Sequence, residues 1–124
     1  MRVNSGSSPG FGSFQVTGSI SVSGSYLLNV VSGTSTPTYN VGTAEHLVVF
    51  TANNVTGVLP SSSAVGTQIV FKDGTGVAGT SGGQMLSSSA GKIDGSATFK
   101  MASINYTSVA VVKIKSSPEE WVII

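Results

Sequence analysis

Gly, Ser and Thr interrupt every window of this chain long enough to hold three helical turns, and apolar residues do not recur at three-four spacing. Period-two alternation takes the place of helical periodicity. Phe14, Val16, Ile20 and Val22 share one parity, with Gln15, Thr17, Ser19 and Ser21 on the other. Tyr26 to Val31 and His46 to Ala52 are denser apolar runs, the pattern of strands buried on both faces. Thr67 to Lys72 sets Ile69 and Phe71 opposite Val70 and Lys72, and Ala97 to Met101 sets Phe99 and Met101 opposite Thr98 and Lys100. Ser108 to Lys115 and Glu119 to Ile124 supply the last two runs. Asp73-Gly74, Ser81-Gly82-Gly83, Ala90-Gly91 and Ser116-Ser117-Pro118 carry turn chemistry, and Ser32 to Thr38 reads as a loop. About eight short strands separated by such turns predict an all-β fold, a β-sandwich or jelly roll. Residues 14–124 form its single domain, and a Gly/Ser-rich extended arm occupies residues 1–13.

Charge sets the second constraint. Only 9% of the 124 residues are charged, against roughly 25% in an ordinary soluble domain. Charge keeps folded monomers apart, so a surface this neutral is expected to be covered by copies of itself or by a larger assembly. The basic residues Arg2, Lys72, Lys92, Lys100, Lys113 and Lys115 are scattered singly, without the clustered basic face of a nucleic-acid binder. No apolar run approaches the length of a membrane span, and the first residues lack the apolar stretch of a secretory signal. With no cysteine in the chain, disulfides and thiolate metal sites are excluded.

The catalytic motifs present lack the context that gives them meaning. Gly74-Thr75-Gly76-Val77-Ala78-Gly79 matches a dinucleotide fingerprint, but Thr80-Ser81-Gly82-Gly83 cannot begin the helix that would face a pyrophosphate. Gly79-Thr80-Ser81-Gly82-Gly83 matches a nucleophile elbow, yet the sole histidine, His46, lies upstream of the serine. Ser89 and Lys92 fit S-x-x-K without a helix to present them. Glu45 and His46, like Glu119 and Glu120, are adjacent on strands and point to opposite faces. Asp73 and Asp94 each precede glycine, where aspartate serves a turn. No catalytic set, metal cluster or cofactor is therefore expected. Trp121 is read as a packing anchor of the last strand. Phe11 and Phe14, with Arg2, are the candidate assembly contacts, because aromatics in a Gly/Ser arm have little local core to enter.

Residues 39–124 carry an ordered set of further features. Tyr39-Asn40-Val41 is followed by Val58-Leu59-Pro60, then by Ile69-Val70-Phe71-Lys72-Asp73 with Gly76 and Ala78. Ile93-Asp94-Gly95 and a closing Trp121-Val122-Ile123 complete it. This order resembles the β-structured modules of tailed-bacteriophage fibres, spikes and head decorations. The resemblance implies a homotrimeric, non-enzymatic virion component. It assigns Lys72, Asp73, Gly76, Asp94, Gly95 and Trp121 to turn and core architecture. In fibres such a module ends a long chain, whereas here only a short arm stands ahead of it. The expectation is accordingly a capsid decoration protein on the outside of the head, with itself and the major capsid protein as partners. The alternative is a tail-fibre or adaptor module that binds a host glycan.

Overall fold

The computed structural model describes residues 16–25, 27–32, 36–79, 83–101 and 104–124. Among them there is no helix, and ten strands form two mixed sheets. The strands are β1 (Val30–Ser32), β2 (Thr38–Asn40), β3 (Leu47–Phe50), β4 (Thr56–Leu59), β5 (Gln68–Asp73), β6 (Met85–Ser88), β7 (Gly91–Ile93), β8 (Thr98–Lys100), β9 (Ser108–Ser116) and β10 (Glu119–Ile123). One sheet has the order β1-β3-β5-β9-β10-β7 and the other β2-β4-β6-β8.

Successive strands alternate between the sheets from β1 to β9. Each visit to one sheet is thus connected through a strand of the other. That crossover lets β1, β3 and β5 run parallel, and likewise β2, β4 and β6. Antiparallel pairing appears where β8 joins β6 and where β9 joins β5 and β10. The fold is all-β and compatible with a sandwich, with a winding chain path through its first six strands.

Strand parity locates the core. Val48 and Phe50 of β3, Ile69 and Phe71 of β5, and Val109 and Val111 of β9 are buried, while the residues between them are only half-buried. Leu59 and Leu86 enter from the other sheet, and Ile93, Met101 and Trp121 complete the cluster. The Phe50 and Phe71 rings stack with centroids 5.6 Å apart. Burying one such side chain is worth roughly 1.5–3 kcal/mol, which fixes the register of every strand that contributes one.

Several boundaries differ from the sequence reading. Residues 16–22 belong to no strand and are almost wholly exposed, although their alternation suggested one. Among the described residues no strand pairs with that backbone. In the run expected over Tyr26 to Val31, Tyr26 lies outside the described residues and the rest is strand only from Val30; Leu27, Leu28 and Val30 are exposed rather than buried on both faces, because β1 is an edge strand. Thr38, placed in a loop, opens β2. Strands β4, β6 and β7 were not anticipated, and Gly91, read as part of a turn, begins β7. The arm over residues 1–13, with Arg2 and Phe11, and also Phe14, lie outside the described residues.

Candidate functional site

The inward parity of β5 carries one residue beyond Phe71, and that residue is Asp73, fully buried. Its carboxylate gathers the loop that follows. Oδ1 accepts from Thr75 N at 2.9 Å, Thr75 Oγ1 at 2.7 Å, Gly76 N at 3.0 Å and Gln84 Nε2 at 3.0 Å. Oδ2 accepts from Ala78 N at 3.0 Å and from Tyr106 N at 2.9 Å. Burial alone would push the Asp73 carboxyl up. The hydrogen bonds from the Thr75 side chain and from the Ala78, Tyr106 and Thr75 backbones outweigh it and hold the group well below the usual carboxylate range. Gly76 has φ +75°, and the Tyr106 ring lies across it where a Cβ would stand. Lys72, on the other parity, donates from Nζ to the Tyr106 carbonyl. Lys72, Asp73, Gly76 and Ala78 are therefore parts of one loop clasp. The amides that a glycine-rich loop would offer to a phosphate are here turned onto the chain's own carboxylate.

A second polar node lies at the opposite end of the core. In β9 the buried parity runs Val109, Val111, Lys113, and in β10 it runs Glu119, Trp121. Lys113 Nζ donates to the carbonyls of Ser61 at 2.6 Å and Ser63 at 2.9 Å. It also stands 3.8 Å from Glu119 Oε2 and 5.9 Å from the centre of the Trp121 ring. Glu119 Oε1 accepts from Trp121 Nε1 at 2.8 Å and from Ser88 Oγ, which in turn accepts from Gly91 N at 3.0 Å. A buried ion pair is tolerated only when its remaining hydrogen-bonding capacity is met, and these contacts meet it. Trp121 is fully buried, so its ring presents no stacking face to solvent.

Outside this node lies a groove of about 630 Å³. It is lined by residues 88–92, Lys115 and residues 118–120. Lys92 and Lys115 are both register partners of Glu120, in β7 and β9 respectively. Ser89 and Lys92 share the groove on a turn and a strand, without the helix that S-x-x-K chemistry needs.

The Asp94-Gly95 turn joins Ile93 to Ser96 by paired backbone hydrogen bonds of 2.7 and 2.9 Å. Asp94 has φ +46° and Gly95 +82°, the positive pair of a type I′ hairpin turn. Asp94 Oδ1 also accepts from Ile123 N at 3.2 Å and fastens the turn to β10. Tyr39 donates to Glu45 Oε1 at 2.9 Å. Burial first, and then that hydrogen bond and the Glu45 charge, push the phenol up to about 12. His46 is exposed, and its Nδ1 accepts from Asn29 N at 3.3 Å. Among the described residues no group of three His, Asp or Glu could hold a metal ion, and no helix is long and apolar enough to cross a membrane.

The structure thus brings Lys72, Asp73 and Gly76 together, and separately Asp94, Gly95 and β10, which carries Trp121. The burial of Lys113, Glu119 and Gln84 was missed. Parity with Val111 in β9 and with Trp121 in β10 is the signal that points Lys113 and Glu119 inward; Gln84, just ahead of β6, has no comparable signal. Comparison of the chain with models of known families and with curated proteins finds no match.

Proposed function

We propose that this chain is a bacteriophage head decoration protein, a homotrimeric β-sandwich that binds the outer capsid surface and holds the shell against internal pressure. One contrast carries the reading: the buried Asp73 carboxylate and Lys113 ammonium are spent on the chain's own loops, while exposed Ile20, Val22, Leu27, Leu28 and Val30 leave an apolar flank uncovered. A protein of this kind works by burying area, and its binding energy adds to the stability of the bound shell by mass action. Three linked contacts add avidity. The test is heat-induced DNA release from heads assembled with and without the chain. Heads lacking it are expected to release DNA at a lower temperature, and adding the purified protein restores the higher one. Identical release temperatures would remove the proposal.

The groove beside Lys92, Lys115 and Glu120 favours a second reading, a fibre or adaptor module whose hydroxyls and charges meet a host glycan. A glycan array separates the two, since decoration requires no sugar binding.

A further inference from the structure

The four sheet edges are not treated alike. Edge strands are ordinarily guarded by lysine, because an open edge recruits another strand. Here β7 carries Lys92 and β8 carries Lys100. The edges at the other end, β1 and β2, carry no charge, and no charged residue occurs anywhere between Arg2 and Glu45. Ten of the eleven acidic and basic side chains therefore fall in residues 45–124. Ahead of the unguarded β1 edge, residues 16–25 lie outside any strand and are exposed from Thr17 onward, with Ile20 64% and Val22 53% exposed on one parity. Leu27, at 86%, and Val30, at 53%, continue the apolar flank to the edge itself.

From these features we infer that the β1 edge is the interface between copies of this chain, and that it receives residues 16–25 of a neighbouring copy as an added strand. The occupant has the required chemistry: it is uncharged, it alternates at the strand period, and its backbone pairs with nothing in its own described fold. Strand addition supplies backbone hydrogen bonds for affinity and alternate side chains for register. Because the donated segment and the accepting edge are different surfaces, the contact is head-to-tail, and a trimer requires that three such contacts close into a ring rather than run on as a filament. This inference rests on the self-assembly part of the decoration reading and supplies its contact surface.

Light scattering on the purified full-length chain tests it. The wild type is expected to be trimeric, and Val30→Lys is expected to cut the mass threefold, to 12.5 kDa. Ile104→Lys, at an exposed apolar position between β8 and β9, is expected to leave the trimer intact. A second measurement does not depend on the lysine variant folding. The chain has no cysteine, so Ser21→Cys and Ser32→Cys copies can be refolded together and treated with a short bis-maleimide. Cross-linked dimers of the two variants are expected. A monomeric wild type, a Val30→Lys chain of unchanged mass, or the absence of any cross-link between the Ser21→Cys and Ser32→Cys copies would each overturn the edge assignment. A monomeric wild type would also remove the trimer from the decoration reading, whereas capsid binding itself falls only if the chain leaves the stability of phage heads unchanged.

Discussion

Six donors converge on the two oxygens of Asp73, so one side chain ties the end of β5 to the loop after it, to Gln84 and to the backbone at Tyr106. Replacing an oxygen with an amide turns a donor toward donors. Asp73→Asn is expected to cost roughly 3 kcal/mol, read as a lower denaturation midpoint at neutral pH. The native carboxyl ionises below the unfolded one, so its stabilisation is complete above about pH 4. It is lost as the pH falls toward the depressed native value. Thermal melts from neutral to acid should therefore fall steeply for the wild type and less steeply for Asp73→Asn. Tyr39 has the opposite sign. Its phenol is raised to about 12, so its contribution is complete below about pH 10 and lost as the pH rises through 12. An alkaline absorbance titration should show a late tyrosine component that Tyr39→Phe removes. The Asp-Gly pair at residues 73–74 marked a turn in the sequence, but the number of donors drawn onto Asp73 was not legible there. Four of the six come from residues 75–78, which spacing places nearby, whereas Gln84 and Tyr106 arrive through the fold.

Among the elements, β7 is the one held with least tolerance. Gly91 lies opposite Glu119 in the parallel pair, and a Cβ there would stand 1.8 Å from the Glu119 carbonyl oxygen. No rotamer relieves a clash with backbone. Gly91→Ala is expected to cost on the order of 1–3 kcal/mol and to raise amide exchange at Lys92 and Ile93 while β3 and β5 stay protected. Strand legibility followed length and side-chain content. β5, β9 and β10 were readable because alternation of large apolar residues persists across them. β2, β4, β6 and β7 were not, since three or four residues rich in Thr, Ser and Gly carry little of that signal. The opposite error at residues 16–22 has the same root: alternation marks a segment able to pair, and pairing also needs a neighbour with a free edge.

At the scale of the whole molecule, charge is segregated as well as scarce. All of it beyond Arg2 lies from Glu45 onward, and the apolar flank around β1 has none. Scarcity of charge was plain in the sequence. That the uncharged third meets two open sheet edges required the topology. On the decoration reading, the contacts made by such a surface are backbone hydrogen bonds and apolar anchors, which salt screens little. Raising salt from low to molar is expected to leave the protein on phage heads, measured by sedimenting the particles and assaying the supernatant; release at high salt would mean that charge carries attachment. If the decoration reading holds, cryo-electron microscopy of the phage particle counts the copies of the chain directly. Decoration requires on the order of hundreds of copies, grouped in threes over the outer head. A few dozen or fewer confined to the tail, or none on the particle, would contradict it.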